Sequence, residues 1–524
     1  MTEKKEESEG ITRRKYLKYG AAGVVVVAAA AGGLYYATMP PPTPAPTATT
    51  VAPATVTVTQ PPQVATSAAT VTVSGGIPKL WTPNPAISGR NIDFICSAEA
   101  FLTGIAGSLH EYRDLSKNNV IIETLGYSLM HEKYMLELTS SSSAYDIIGI
   151  DSAWVAEMSP YLTPLDDWIK RDNNVVQWDD MAPGARSMVG YPSPEGPTKS
   201  YGVSLGLYDT YTWYRTDILN GIGEKYPETV DKVFPIFDKL GMKPGHKPVH
   251  NDITGKDDLY GIVIYAGLPF AATCGFMYFW NACGGNFFRP DALPARKLAI
   301  NDEIAVQALT WWKQLFDYGP PGQETFDWGA AAAFFDSGKA VFANAILAEH
   351  YLAQIDPKTP TFGKVANDVI FQNPDGPYVK SGIKRGTTGV GWVAGIPNNI
   401  SNDRKDAAWD FIKWITDPGR DLERENADSP RASVLSVISK NPKYSSFLAH
   451  AADNRQYGTI GPPDTNTPKP ELGEGTTRLR MPYAQQFYDI MDAQIQPCLL
   501  GKIDPKTALD NCYTQMIKIE PEMA

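Results

Sequence analysis

Short apolar runs alternate with helical patterns from about residue 91 onward. Residues 91–96, 120–124 and 145–150 have the length and the residue types of buried strands. Between them, apolar positions recur at helical spacing, as over residues 129–138. Strands that alternate with helices in this way predict βαβ units and a parallel sheet, so the pattern indicates an α/β fold.

Two acidic residues follow predicted strands. Glu99 lies in the loop after the first strand, and Asp151 ends the third strand where the next helix begins. In open α/β sheets the carboxyl ends of the strands face the ligand crevice. Both carboxylates are therefore candidate ligand-binding groups.

Residues 199–215 are rich in aromatic and β-branched positions, which favour strands. We predict one strand at 201–203, a second at 211–215, and between them a loop with Tyr208 and Asp209 at its tip. An aromatic face beside a carboxylate suits a hydroxylated ring, which stacks on the one and donates hydrogen bonds to the other. The segment is interpreted as a crossover between two lobes that lines a cleft. An ordinary buried hairpin is the alternative.

The first 86 residues do not show the alternation of strand and helix patterns found from about residue 91 onward. Residues 1–18 form a basic leader in which Arg13-Arg14 precede Tyr16-Leu17-Lys18, as in twin-arginine export signals. Residues 19–38 are almost wholly apolar and long enough for a transmembrane or signal helix. Residues 39–86 are rich in Pro and Thr, which predicts a disordered stalk. We expect the helix to be retained as a membrane anchor, and cleavage is the alternative.

The composition argues against several classes of function. The net charge of −11 and the pI near 5.2 argue against nucleic-acid binding, which requires clustered Lys and Arg. With six His and no Cys/His cluster, neither a metal site nor a cofactor is expected. Five cysteines are too few for a disulfide scaffold, although Cys498 and Cys512 flank a short connection that a bridge could span. The G-x-S-x-G sequence around Ser204 lacks the helix that a nucleophile elbow needs.

Several motifs follow one another along the chain. Residues 144–168 contain an Asp-hydrophobic-hydrophobic…Leu-x-Pro-Leu-Asp stretch, residues 280–285 end a helical pattern in Gly-Gly, and residues 335–340 read Phe-x-x-Gly-Lys-Ala. These motifs, and others that keep their order to about residue 519, resemble those of extracellular solute-binding proteins of the sugar-binding class. That class is similar to maltose- and trehalose-binding proteins and serves ATP-driven (ABC) importers. Departures are Ser204 for the usual proline and Arg215 where asparagine is common.

The resemblance implies a two-lobed, periplasmic-binding-protein-like clamshell with a hinge, over residues 87–524. We place one lobe at about 88–207 and 386–431, and the other at about 208–385 and 432–524. It also implies a binding protein and not an enzyme, exported to the cell surface. Its partners would be a small solute, such as a sugar or oligosaccharide, and the permease subunits of an ABC importer. The membrane would be a further partner through residues 19–38.

The resemblance and the aromatic-plus-carboxylate pattern select one set of candidate ligand-binding residues. Buried core is the alternative for the tryptophans, and a surface arginine is the alternative for the arginine. The set comprises Glu99, Asp151, Trp154, Tyr208, Asp209, Trp280, Asn344, Gly391, Trp392 and Arg431.

Three other functions compete with sugar capture. Carboxylates such as Asp151 and Asp209 would also suit a carbohydrate-active enzyme, which needs two at a set separation. A stalk of Pro and Thr would suit an adhesion protein. The family also includes binders of other solutes, so a non-sugar ligand is the remaining alternative.

Overall fold

The computed structural model describes residues 76–98, 100–192, 197–288, 297–346, 356–381, 387–441, 479 and 481–523. The chain divides into two compact units, Met1–Thr72 and Val73–Ala524. The first unit lies outside the described residues, as do the predicted basic leader, apolar helix and most of the stalk. Within the described part, no helix is both long and apolar enough to cross a membrane.

Eleven strands are found in the described residues, and most belong to one sheet. In chain order they are β1 Asn91–Cys96, β2 Asn119–Thr124, β3 Ile147–Asp151, β4 Gly190–Pro192, β5 Thr198–Ser200, β6 Val203–Arg215, β7 Val249–Asn251, β8 Lys256–Val263, β9 Ala340–Ile346, β10 Val365–Asp368 and β11 Thr387–Gly395.

The main sheet has the order β2-β1-β3-β11-β6-β9-β8-β7, and β10 also pairs with β6. Strand β1 is parallel to both β2 and β3, which confirms the predicted βαβ start. Strand β11 returns antiparallel between β3 and β6. We call β2, β1, β3 and β11 the first half of the sheet, and β7 to β10 the second half.

Strand β6 belongs to both halves. Its first residues, from Val203 to Thr210, pair with β11, whereas those from Thr210 to Arg215 pair with β9 or β10. The crossover was predicted as two strands with a loop at residues 204–209, and that loop is wrong. The ladder to β11 keeps the backbone extended through Gly206, because its hydrogen bonds outweigh the low strand propensity of glycine.

Seventeen α-helices surround the sheet in the described residues. In chain order they are α1 Ala100–Ser116, α2 Tyr127–Thr139, α3 Val155–Met158, α4 Asp166–Arg171, α5 Asn173–Val176, α6 Pro183–Met188, α7 Thr216–Gly221, α8 Val233–Lys239, α9 Ala271–Ala282, α10 Glu303–Phe316, α11 Trp328–Asp336, α12 Pro377–Ser381, α13 Asn402–Ile415, α14 Pro418–Glu423, α15 Ala432–Ile438, α16 Ala484–Leu499 and α17 Pro505–Ile519.

The globular unit begins earlier than predicted. The stalk was expected to reach residue 86, but Trp81 is only 3% exposed. Its indole N–H donates to Asp410 at 3.1 Å, and Asp417 accepts from the backbone N–H groups of Leu80 and Trp81 at 2.6 and 2.7 Å. The guanidinium of Arg420 also lies over the Trp81 ring, 5.2 Å from its centroid. One buried tryptophan therefore fixes the start of the domain to α13 and α14.

All five cysteines are buried, and none forms a disulfide bond. The bridge considered between Cys498 and Cys512 is therefore not formed, although α16 and α17, which carry them, pack together. Ser204 lies inside β6 and donates to the carbonyl of Gly206 at 3.4 Å. No helix follows it, so the nucleophile-elbow geometry is absent at this serine.

Candidate functional site

Asp151 and Trp392 lie on neighbouring strands of the first half. Asp151 ends β3 and is directly opposite Trp392 of β11, which on its other side is opposite Gly206 of β6. Directly opposed residues on antiparallel strands share a face of the sheet. The predicted carboxylate and the predicted aromatic ring are thus brought together, beside a position with no side chain.

The carboxylate of Asp151 is buried, and each of its oxygens accepts a hydrogen bond. One oxygen accepts from the backbone N–H of Ala153 at 2.9 Å, which caps the short 3-10 helix Ser152–Trp154. The other accepts from the hydroxyl of Tyr127, also at 2.9 Å. The cap fixes the position of the carboxylate, because an N-cap oxygen must stay within reach of the first helical N–H groups. The second oxygen faces the aromatic residues.

In the described part of the chain, the ring of Tyr127 lies near the aromatic rings of Phe270, Trp154, Trp328 and Trp392. It lies parallel to Phe270, with centroids 5.5 Å apart and an interplanar angle of 11°. Trp154 is at 5.1 Å, Trp328 at 5.4 Å edge-on and Trp392 at 6.2 Å. Together with Asp151 these residues form what we call the Tyr127 cluster: Tyr127, Asp151, Trp154, Phe270, Trp328 and Trp392.

The cluster draws on both halves of the fold. Tyr127 begins α2 directly after β2, and Trp154 follows β3. Phe270 precedes α9, which packs against α10 and α16, and Trp328 begins α11, which packs against β8 and β9. Rings from the first half therefore meet rings from the second half at this one place.

Helix α16 positions two rings of the cluster. Its Gln485 accepts the indole N–H of Trp154 at 2.8 Å. Its Asp492 accepts the backbone N–H of Phe270 and, at 3.2 Å, that of Thr273. Phe270 has a left-handed backbone, φ 70°, which is uncommon for a bulky residue and needs such support. Burial raises the pKa of Asp492 to about 6.

Tyr208 lies on β6 and Gly391 lies on β11, the strands that carry Gly206 and Trp392. Tyr208 is buried, and its ring would lie 3.5 Å from a Cβ on Gly206, the residue opposite Trp392. A Cβ on Gly391 would come within 2.2 Å of the Gly206 carbonyl oxygen and 2.8 Å of Met188. Gly391 thus allows β11, β6 and α6 to approach closely, which is a packing role.

The side chains of two predicted carboxylates lie outside the described part of the chain. Glu99 lies outside the described residues. Asp209 pairs through its backbone with Thr388, but its side chain is outside the described part. Asn344 lies further along the sheet on β9, opposite Thr212, and is buried. Among the described residues neither its amide nitrogen nor its amide oxygen has a hydrogen-bond partner.

Trp280 and Arg431 are not brought to the Tyr127 cluster. Trp280 is buried on α9 and stacks on Phe276 with ring centroids 5.9 Å apart. It is ten residues beyond Phe270, about 15 Å along the helix. Arg431 is 1% exposed, donates to the carbonyl of Val176 at 2.9 Å and pairs with Asp180 at 3.5 Å. These contacts occupy both side chains within the fold.

A cavity of about 220 Å³ adjoins the β6 side of this region. Leu205, the neighbour of Gly206, lines it together with Phe101 and Ile415. Polar groups reach it from the segment after α14, among them Arg424 and Asn426. The cavity gives a small polar molecule room beside the first half of the sheet.

Three members of the cluster were missed by sequence reasoning: Tyr127, Phe270 and Trp328. Tyr127 follows the carboxyl end of β2, so the rule that selected Asp151 would have selected it as well. Phe270 and Trp328 come from distant segments and carry no local signal. Among the described residues no group of His, Cys, Asp and Glu is placed to hold a metal ion.

Comparison with known proteins points to one family. The profile of the family described as bacterial extracellular solute-binding protein matches residues 116–420. A Sinorhizobium fredii protein named "probable amino-acid ABC transporter periplasmic-binding protein" is 22% identical over 338 residues, covering 63% of this chain and 70% of its own.

Solved structures show the same fold. A solute-binding protein of an ABC transporter from Agrobacterium radiobacter, in complex with ribitol, has a TM-score of 0.68 and 23% identity, covering 83% of this chain and 99% of its own. A maltose-bound protein from T. maritima has a TM-score of 0.64 and 18% identity, covering 82% and 100%. The fold is therefore the predicted two-lobed, periplasmic-binding-protein-like one.

Proposed function

The chain belongs to the bacterial extracellular solute-binding protein family, and on that premise we propose that it captures a sugar or polyol for an ABC importer. The Tyr127 cluster carries the proposal. It combines one fixed carboxylate, which accepts hydrogen bonds from hydroxyl groups, with aromatic faces on which a ring or carbon chain packs. Asp151 and Trp392 would contact the solute, with Tyr208 and Asp209 close by on β6.

The relatives suggest two solute classes. One structural relative holds ribitol and another holds maltose, whereas the Sinorhizobium fredii relative is named for amino acids. The six members of the Tyr127 cluster include a carboxylate but no Lys or Arg. An amino acid would bring a carboxylate of its own, which requires a cationic or N–H partner. The cluster therefore favours a neutral, hydroxylated solute. Arg424 of the adjoining cavity already contacts Ser108, the Ile415 carbonyl and the Trp414 ring.

Capture would use the two lobes as a clamp, with boundaries at about 88–207 plus 386–431 and 208–385 plus 432–524. A solute that contacts both lobes favours the closed form by its differential affinity. The permease would then recognise the closed protein. We further propose that residues 1–38 direct export and keep the protein on the membrane, with the Pro- and Thr-rich segment as a stalk.

Calorimetry on the full chain tests the function. We expect at least one polyol or sugar, from a panel that includes ribitol and maltose, to bind and to raise the melting temperature by mass action. Binding of amino acids alone would show that the solute class is wrong. Turnover of an oligosaccharide that is lost in Asp151→Asn protein would favour the enzyme alternative.

A further inference from the structure

Tyr127 makes, within the chain, the contacts that the proposed function assigns to a solute. Its hydroxyl donates to Asp151 at 2.9 Å. Its ring lies parallel to Phe270 and meets the edges or faces of Trp154, Trp328 and Trp392. A hydroxylated ring held between aromatic faces with a hydroxyl group on a carboxylate is also how a sugar would be bound.

The contacts of Tyr127 also join the two halves of the fold. Asp151 and Trp392 belong to the first half, whereas Phe270 and Trp328 precede or begin helices of the second half. A half-buried side chain at the start of α2 therefore bridges the cleft. The stacked pair with Phe270 and the edge-on contact with Trp328 cross between the halves and stabilise the bridge, whereas the hydrogen bond to Asp151 lies within the first half and holds the Tyr127 ring in place for them.

We propose that Tyr127 is an interlobe latch, which holds the cleft closed and competes with the solute for Asp151 and the aromatic faces. When a binding-competent state is only partly populated, the apparent dissociation constant rises in proportion. The latch therefore sets the affinity: it must release before solute enters. The inference has two parts: a competition arm, in which Tyr127 competes with the solute, and a bridging arm, in which Tyr127 joins the two lobes. Only the competition arm rests on the proposed function.

The bridging arm is tested without any solute. Spin labels at Lys170→Cys and Lys502→Cys, two exposed positions on α4 and beyond α16, report the interlobe distance in the full chain. The native cysteines are buried and should not label. Tyr127→Ala should shift the distance distribution to an open population, and Phe270→Leu should act in the same direction from the other side of the bridge.

Tyr145→Phe is the matched control. The hydroxyl of Tyr145 also donates to a carboxylate, that of Glu123, at 2.7 Å, but it lies outside the Tyr127 cluster. This variant should leave the distance distribution unchanged. An unaltered distribution in both Tyr127→Ala and Phe270→Leu proteins would overturn the latch, even if the solute screen succeeds.

The competition arm uses the solute found by calorimetry. Tyr127→Phe keeps the stacked ring and removes only the hydroxyl. Asp151 loses a donor that a solute hydroxyl can replace, so affinity should rise about tenfold. A tenfold or greater loss would instead make Tyr127 a wall of the solute site and refute the latch. If no solute binds the wild-type protein while the distance distribution opens as expected, the proposed function fails and the interlobe bridge stands.

Discussion

Trp392 lies directly opposite Asp151, on the antiparallel strands β11 and β3. The pair joins the end of the third strand to a strand that returns late in the chain. Residues opposed in this way have Cβ atoms about 5 Å apart and point to the same side of the sheet. Backbone pairing therefore sets the spacing of a stacking surface and a hydrogen-bond acceptor, and the cap to Ala153 fixes the carboxylate.

The Asp151–Trp392 pair gives the first prediction. Asp151→Asn keeps the size of the side chain and removes its charge, so solute affinity should fall about tenfold to a hundredfold. Trp392→Phe should weaken stacking, with a smaller loss. Isothermal titration calorimetry measures both losses.

Trp311→Phe is the control, because Trp311 is a half-buried tryptophan of α10. An equal loss of affinity in this variant would mean that the effect is not specific to the site. Asp209→Ala should also weaken binding in the same titration.

The second prediction concerns the start of the domain. Trp81→Ala removes a buried ring that contacts Tyr112, with centroids 5.4 Å apart, and leaves Asp410 without its indole donor. The free energy of unfolding should fall by about 3–5 kcal/mol. Denaturant titration measures this change. Thr82→Ala, at the exposed neighbouring position, should have little effect; wild-type stability in Trp81→Ala protein would contradict the anchoring role.

The third prediction concerns the N-x-S sequence at Asn399. Its side-chain nitrogen donates to the carbonyl groups of Glu137 and Ser140, each at 3.0 Å, at the end of α2. A glycan attached to that nitrogen would disrupt these bonds. Intact-protein mass spectrometry should therefore find Asn399 unmodified.

Asn399→Asp tests the same contact by stability. The substitution replaces a donor by an acceptor opposite the carbonyl oxygens of Glu137, Leu138 and Ser140, so the free energy of unfolding should fall by about 1–3 kcal/mol. Asn402→Asp, at an exposed position in the first turn of α13, is the control. Equal stability of the two variants would show that the bonds to α2 contribute little.

The fourth prediction is a pH dependence. Burial raises the pKa of Asp492 from its ordinary 3.8 to about 6, so the folded protein binds this proton more tightly than the unfolded chain. The resulting stabilisation is complete below the ordinary pKa and is lost as the pH rises through about 6. Its size is on the order of 2–3 kcal/mol.

Asp492→Asn isolates that contribution. The variant should show a flatter stability profile than the wild type between about pH 4 and 7, measured by denaturant titration. Asp489→Asn, which changes an exposed carboxylate on the same helix, should keep most of the wild-type slope. An unchanged slope in Asp492→Asn protein would mean that other groups carry the pH dependence.

The sequence by itself determined the fold class and part of the site. Strand β1 was predicted with its observed bounds, and Asp151 was placed at the end of β3. Both predictions succeeded because the spacing of apolar residues and the residue types decide whether a segment can form a strand and where that strand must end. The order of weak motifs along the chain indicated the family. These features are local, or repeat along the chain, so they can be read without knowing which segments meet.

Tertiary structure decided which of the aromatic residues belong together. Trp280 and Trp392 both looked like site residues, yet one packs on Phe276 inside α9 and the other lies on a sheet opposite Asp151. A loop was predicted at residues 204–209, but pairing with β11 makes this segment part of a continuous strand. Tyr127, Phe270 and Trp328 converge only through the crossing of both halves of the fold. Their contacts depend on segments far apart in sequence, and no local pattern encodes such a meeting.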